Sequence, residues 1–111
     1  MNGTERIWYT YIVRCADGSF YTGYTVDDLS ARIAAHNEGR GAKYTKSRRP
    51  VTLIWHAEWD NPHDARSAEA KIKHLTRKEK EKLISENAST IDKESKARSL
   101  HSPLSNLHIS S

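Results

Sequence analysis

Residues 8–25 of the 111-residue chain read WYTYIVRCADGSFYTGYT, two short runs of aromatic and β-branched residues around an Ala-Asp-Gly sequence. Such runs favour β-strands, and an Asp-Gly pair between them is typical of a tight hairpin turn. A two-residue loop would place Tyr11 and Tyr21 on opposite faces of the hairpin. A three-residue loop, residues 16–18, would pair Val13 with Tyr21 and place both tyrosines on one face. A site that uses both tyrosines therefore requires the three-residue loop.

A first helix is predicted after the hairpin, over residues 28–38. Asp27 is the expected N-cap, Leu29 and Ile33 form an apolar stripe at helical spacing, and Gly39 is the expected stop. The helix is amphipathic, so one side of it is expected to pack against the sheet.

Arg32 and His36 share another face of this helix, four residues apart. An arginine at such a position is usually a solvated surface residue, although its planar guanidinium also suits two phosphate oxygens. Three roles stay open for His36: part of a site, a cap on the helix end, or a lining for the next loop.

The positive charge of the chain is concentrated in the segment that follows, residues 37–50, with the sequence NEGRGAKYTKSRRP. This basic segment holds five cations and one carboxylate, a surplus equal to the whole net charge of +4. Charge alone is equally consistent with a solvated loop or with a polyanion-binding surface. As a polyanion-binding surface the segment would contact nucleic acid through His36, Arg40, Lys43, Tyr44, Lys46, Arg48 and Arg49, with Tyr44 able to stack on a base.

Residues 51–59, VTLIWHAEW, alternate apolar and other residues, which predicts a third strand with Val51, Leu53, Trp55, Ala57 and Trp59 on one face.

A second helix is predicted to begin with Asn61 as N-cap and Pro62 in its first turn. Its core stripe is expected to consist of Ala65, Ala68, Ile72 and Leu75. Glu69 lies beside that stripe and needs a partner, because an unpaired carboxylate is costly to bury. Helix spacing favours Arg66 or Lys73 as this partner, and a metal ion is the alternative.

The sequence from Thr76 to Glu79 has the pattern of a capping box, so a third helix is predicted to run to about Glu86. Residues 88–111 are rich in Ser, Lys and Asn without apolar periodicity, and a disordered tail is expected there. The folded domain is therefore predicted to span residues 1–87.

Composition narrows the class of protein further. No apolar run approaches the roughly 18 residues that a membrane span needs, and no secretory signal pattern begins the chain. One cysteine allows no intramolecular disulfide, and no Cys/His spacing indicates a structural zinc site. We therefore expect a cytoplasmic protein without membrane contact, and we assume a monomer.

The order of these features resembles the GIY-YIG nuclease superfamily, in particular its small single-domain bacterial branch. Tyr9-Thr10-Tyr11 occupies the GIY position and Tyr21-Thr22-Gly23 the YIG position. Arg32, the Gly39–Pro50 loop and Glu69 follow in the family's order, so that the resemblance covers about residues 7–86.

This resemblance implies a fold of the α/β (α+β) class, a small three-stranded, mostly antiparallel sheet with flanking helices in the order β-β-α-β-α-α. It also implies a metal-dependent DNA endonuclease that acts on branched, damaged or single-stranded DNA, with DNA repair as the expected role. Tyr11, Tyr21, Arg32 and Glu69 would be its catalytic residues, and Glu69 would bind Mg²⁺ or Mn²⁺. The alternative is a non-catalytic nucleic-acid-binding domain that retains the fold.

Overall fold

The structure, a computed structural model, describes residues 6–93, with side-chain surroundings through residue 86. The elements run in the order β1 (Trp8–Arg14), β2 (Phe20–Val26), α1 (Leu29–Asn37), α2 (Lys43–Lys46), β3 (Thr52–Trp59), α3 (Pro62–Lys73) and α4 (Arg77–Lys93). The predicted α+β class is confirmed. The one-turn helix α2, inside the basic segment, is an addition to the predicted order. Among the described residues, no helix combines the length and hydrophobicity required to cross a membrane.

The three strands form an antiparallel sheet in the order β2-β1-β3, so the hairpin supplies both the central strand and one edge. Its turn is the three-residue loop: the amide of Cys15 donates to the Ser19 carbonyl at 2.8 Å, and Gly18 has a φ of +86°. Glycine adopts this left-handed conformation without steric cost. In the resulting register Val13 pairs with Tyr21, so Tyr11 and Tyr21 share a face.

Two apolar clusters fill the two sides of the sheet. On one side α1 packs against a cluster of five buried residues: Tyr11, Val13, Cys15, Leu29 and Val51. On the other side α3 and α4 pack against Ile12, Trp55, Ala57, Ala68, Ile72 and Leu83. The predicted core stripe of α3 is confirmed, since Ala65, Ala68 and Ile72 are buried and Leu75 packs beside them.

The alternation predicted for the third strand is wrong at its centre. A β-bulge shifts the register between β1 and β3, so Ile12 pairs with Trp55 while Val13 pairs with Leu53. An extra residue on one strand reverses the side of the sheet to which each following side chain points. Val51 and Leu53 therefore pack on the α1 side, whereas Trp55 and Ala57 pack on the α3 side.

The predicted N-cap of the first helix is wrong by one residue. The Asp28 side chain accepts from the Ala31 amide at 2.9 Å, and α1 begins at Leu29. Asp27 has a φ of +68° and instead pairs with Arg6, Nη2 to Oδ2, at 2.8 Å. The tight turn out of β2 requires a residue that tolerates positive φ, and aspartate is one of the few.

The caps of the last two helices are confirmed. Asn61 accepts from the Asp64 amide at 2.8 Å, and Pro62 lies in the first turn of α3. Thr76 and Glu79 exchange side-chain-to-backbone bonds of 2.9 and 3.1 Å, which is a complete capping box.

The last helix, α4, continues past the predicted end near Glu86 to Lys93. Its additional residues, 87–93, contain neither glycine nor proline to stop it. The remainder of the predicted tail, residues 94–111, lies outside the described residues.

The reassigned cap gives a direct test by mutation. Replacing Asp28 with alanine leaves an amide of α1 without its acceptor, and we expect the free energy of unfolding to fall by about 1 kcal/mol. Asp27→Asn keeps a residue that tolerates positive φ and removes only an exposed ion pair, so its effect should be clearly smaller. Urea denaturation of both variants measures the difference. Equal losses, or a larger loss for Asp27→Asn, would contradict the assignment.

Candidate active site

The site forms where the side chain of Tyr11 crosses from the central strand to the open edge of the sheet. Tyr11 pairs with Gly23 of the edge strand β2. A Cβ atom at Gly23 would lie 2.7 Å from the Tyr11 hydroxyl, closer than real Cβ atoms approach other atoms. Glycine at this position therefore lets the phenol lie across β2, so its hydroxyl reaches the sheet edge.

Two side chains of α1 converge on this hydroxyl, as their shared helix face predicts. The Nε2 atom of His36 lies 2.8 Å from Tyr11 Oη, and Arg32 Nε donates to the same oxygen at 3.4 Å. Arg32 Nη2 also donates to the Gly41 carbonyl at 3.2 Å. The Nη1 group of Arg32 has no hydrogen bond within the described part of the chain, so it is free to bind an anion.

The surrounding hydrogen bonds fix the tautomer of His36. Thr45 donates its single hydroxyl proton to the Ala42 carbonyl at 3.1 Å, so Thr45 Oγ1 accepts from His36 Nδ1 at 2.7 Å. Nε2 consequently carries the lone pair, and the Tyr11 hydroxyl donates to it. Tyr11 and His36 are both 0% exposed, so this network is shielded from solvent.

Both groups in the network are held in their neutral forms. Burial raises the pKa of Tyr11. The hydrogen bond and charge of Arg32 oppose this rise, and Tyr21 and Glu69 add to it. The proximity of Arg32 thus does not bring the Tyr11 pKa down to neutral pH. Burial, with a smaller effect of Arg32, lowers the pKa of His36, so the imidazole remains an acceptor at neutral pH.

Tyr21 lies in the same site but is only partly buried. Its ring meets that of His36 edge-on at 5.4 Å between centroids and stacks on Tyr44 at 5.9 Å. The Arg48 guanidinium covers a face of Tyr44 at 3.9 Å from the centroid, and Arg48 Nε contacts Asp17 Oδ2 at 3.2 Å. A nucleic-acid base that stacked on that face of Tyr44, 38% exposed, would have to displace Arg48.

Glu69, on α3, approaches the site from the opposite side of the sheet. Its side chain is 18% exposed, and its negative charge contributes to the raised pKa of Tyr11, which places it within electrostatic reach of the hydroxyl. It forms an ion pair with Lys73, in which Nζ lies 3.1 Å from Glu69 Oε2. Of the two amino-acid partners predicted for this carboxylate, the structure thus selects Lys73.

The side chains that could ligate a metal near Tyr11 fit only one kind of metal site. Within residues 6–86, no group of three or more His, Cys, Asp or Glu side chains could hold an ion. Mg²⁺ keeps several waters and commonly binds through one or two carboxylates together with substrate phosphates. A single, partly buried carboxylate that attracts a cation therefore fits Mg²⁺ or Mn²⁺ bound with substrate, and does not fit a cage built from protein ligands.

The residues of the basic segment occupy different environments. Lys43 and Lys46 are exposed on α2, while Arg40 pairs with Glu38. Arg49 donates to backbone carbonyls instead of to a carboxylate. His36, expected among the nucleic-acid-binding residues, lies beneath the tyrosines with no exposed surface, which suits hydrogen bonding inside the site.

Sequence reasoning missed two residues that complete the site. Thr45 fixes the His36 tautomer, and Gly41 lies so close that a Cβ there would be 2.2 Å from His36 Nδ1. Both lie in residues 41–45, GAKYT, within the basic segment. The interpretation of that segment from the sequence rested on its charged side chains. The available signal was that a glycine and a threonine interrupt a charged segment.

The buried, neutral His36 predicts a pH dependence of stability. Unfolded histidine binds a proton near pH 6.5, whereas folded His36 binds it only at lower pH, so the unfolded state holds more protons in that range. The free energy of unfolding should therefore fall as pH drops below about 6.5. His36→Gln should lose less stability than wild type between about pH 7 and pH 5 in urea titrations. His56, whose pKa burial also lowers, contributes equally to both proteins. Parallel losses would contradict a neutral His36.

The chain is similar in sequence to a known catalytic domain and to several small bacterial proteins. Residues 7–82 match the model of the GIY-YIG catalytic domain. A UPF0213 protein of Lacticaseibacillus paracasei is 50% identical over 82 residues, which cover 74% of this chain and 91% of that protein. A UPF0213 protein of Staphylococcus saprophyticus is 53% identical over 78 residues, covering 70% and 94%. A solution NMR structure of a UPF0213 protein from Bacillus halodurans has 44% identity, covers 71% of this chain and 83% of that one, and gives a TM-score of 0.47. This chain therefore belongs to the GIY-YIG catalytic domain family of nucleases.

Proposed function

We propose that this protein is a metal-dependent endonuclease that hydrolyses phosphodiester bonds in DNA. The observation that carries the proposal is the convergence of Arg32 and His36 on the Tyr11 hydroxyl, with Glu69 within electrostatic reach. Hydrolysis needs a group that binds the phosphate, a group that takes the proton of water, and a cation that neutralises charge. Branched, damaged or single-stranded DNA is the proposed substrate, and DNA repair the proposed role.

Arg32 is the proposed ligand of the scissile phosphate. Two of its nitrogens are held by Tyr11 and by the Gly41 carbonyl, so the guanidinium is oriented before substrate arrives. The Nη1 group can then donate to a phosphate oxygen. A group positioned in advance stabilises the charge that develops at phosphorus without reorganising during the reaction.

The Tyr11–His36 pair is the proposed route for the proton. Water attacks phosphorus, one of its protons passes to Tyr11 Oη, and the bond to the leaving oxygen breaks; the leaving alkoxide then takes a proton from solvent water. Tyr11 in turn gives its own proton to His36 Nε2, 2.8 Å away, which becomes an imidazolium. The free protein covers Tyr11 completely, so substrate binding must first open a path past Tyr21 or Arg32.

Glu69 is the proposed metal ligand. A bound Mg²⁺ or Mn²⁺ supplies Lewis-acid stabilisation of the phosphate charge. Glu69 itself presents the carboxylate, and Lys73 must release it, because the two groups are in contact in the free protein. The single buried thiol of Cys15 suits a reducing compartment, and we place the reaction in the cytoplasm.

The second candidate is a non-catalytic nucleic-acid-binding domain. It is favoured by two observations: Lys73 already neutralises Glu69, and the Tyr11 hydroxyl does not reach solvent. In that case the basic segment alone would carry the function.

Glu69→Gln separates the two candidates. The substitution keeps the shape of the side chain and removes its negative charge. As an endonuclease, the variant should lose orders of magnitude in plasmid cleavage with Mg²⁺ or Mn²⁺ while still binding DNA, because affinity comes from the cations. Lys73→Met is the matched control, since it breaks the same ion pair and keeps the carboxylate.

In the non-catalytic case Glu69 only pairs with Lys73. Both substitutions should then cost about 1 kcal/mol of stability or less. Wild type itself should cleave plasmid no faster than the EDTA-treated protein. A Glu69→Gln protein that cleaves as fast as wild type, with EDTA-treated protein as baseline, overturns the proposed metal role.

Tyr11→Phe tests the proton route. The ring remains, but the hydroxyl that connects Arg32 with His36 is lost, and we expect the cleavage rate to fall about 100-fold or more. Tyr9→Phe is the control, because Tyr9 lies on the same face of β1 and contacts His56 instead. Circular dichroism confirms folding of both variants. Equal cleavage rates for the two would remove Tyr11 from the mechanism.

A further inference from the structure

A groove of about 410 Å³ lies on the basic segment, at the C-terminal end of α1. Its lining consists of Asn37, Lys46, Ser47, Arg49 and Pro50. Neighbouring arginines take different directions here: Arg48 contacts Asp17 and Tyr44, whereas Arg49 turns towards α1 and lines the groove. None of the lining residues belongs to the site formed by Tyr11, Arg32 and His36.

The guanidinium of Arg49 is fixed in position at the groove. Its Nε donates to the Lys46 carbonyl at 2.8 Å, and its Nη1 to the Asn37 carbonyl at 3.3 Å. Gly39, with a φ of +85°, leaves room for this packing, because a Cβ there would lie 3.1 Å from Nη1. The Nη2 group makes no hydrogen bond with the described residues, so it remains available to a ligand.

The charge at the groove is not neutralised. Arg40 pairs with Glu38 and Arg48 with Asp17, whereas no carboxylate among residues 6–86 pairs with Lys46 or Arg49. A fixed guanidinium, a lysine and the Ser47 hydroxyl together offer donors of the kind that bind phosphate oxygens.

The wall of the groove is rigid as well. Both atoms of the Asn37 amide are bound to the backbone of Val51, Nδ2 to the carbonyl at 3.0 Å and Oδ1 to the amide at 2.7 Å. These two hydrogen bonds tie the end of α1 to the start of β3. A ligand would therefore bind a preformed surface, and little binding free energy would be lost in ordering it.

The position of the groove relates it to the proposed scissile phosphate. Asn37 follows Arg32 by five residues, which is about 7.5 Å along the axis of α1. The two positions also lie about 140° apart around the helix, so a strand bound at Arg32 would have to curve round the end of α1. Phosphates of one strand recur about every 3.4 Å along a duplex axis, so such a strand would reach the groove within a few nucleotides.

We propose that this groove binds a second backbone phosphate of the nucleic-acid strand, a few nucleotides from the phosphate at Arg32. The strand as ligand rests on the proposed function. The capture of a phosphate group rests only on the groove itself.

The test follows the Ser47 amide and the Arg49 Nε–H of the full chain by ¹H–¹⁵N NMR during a titration with inorganic phosphate. Both signals should shift and saturate. Lys46→Ala should raise the half-saturating concentration about tenfold or more, because it removes a charged donor. Lys78→Ala is the control, an exposed lysine on α4 that belongs neither to the basic segment nor to the groove lining, and it should titrate like wild type. Arg49→Lys, which keeps the charge and loses the fork, should also weaken binding.

A second titration uses a short oligothymidylate with Glu69→Gln protein in EDTA, so that no cleavage occurs. The same two signals should shift at lower concentration than with inorganic phosphate, because the strand also binds Arg32. Shifts with inorganic phosphate alone would make the groove a free-anion site and overturn the strand proposal. No shift at either residue, or equal effects of Lys46→Ala and Lys78→Ala, overturns the groove entirely. Plasmid cleavage by wild type is measured separately. Its outcome therefore tests the endonuclease proposal without testing phosphate binding at the groove.

Discussion

The Tyr11 hydroxyl has to satisfy its hydrogen bonds inside the protein, because no part of this residue reaches solvent. Burying a hydroxyl without partners is costly, so its surroundings are tightly constrained. It donates to His36 and accepts from Arg32, which fixes the rotation of α1 against the sheet. The same requirement explains glycine at position 23, since any larger residue would displace the phenol.

The basic segment is bound into the same network. Its Thr45 sets the His36 tautomer, and its Gly41 carbonyl holds Arg32. The conformation of the segment is thus coupled to the protonation of two buried groups. The proposed nucleic-acid surface and the hydrogen-bond network of Tyr11 share this stretch of chain, so substitutions in the segment affect both.

Local rules predicted most of the fold from the sequence. The caps at Asn61 and Thr76 and the stripe of α3 all depend on neighbours within a few residues. The loop length of the hairpin did not follow from local rules, and only a site that uses both tyrosines required three residues. The errors arose where a longer-range constraint prevailed. The faces of β3 depend on a bulge opposite Ile12, and the N-cap moved to Asp28 because the exit from β2 needs positive φ at Asp27. The convergence of Tyr11, Arg32 and His36 was accessible from helix spacing and register. Which cations of the basic segment are already paired was not, since Arg48 and Asp17 are 31 residues apart.

The hairpin turn, residues 16–18, is held from two sides. Arg48 reaches Asp17 from the basic segment, and Arg77 of α4 donates to the Gly18 carbonyl at 2.8 Å while covering the ring of Phe20. Hairpin tips are ordinarily where chains accept inserted residues and where proteases cut. Here the tip is a junction between two distant parts of the chain, and one added residue would also place Tyr11 and Tyr21 on opposite faces. This exposed bend is therefore one of the places least able to change in length.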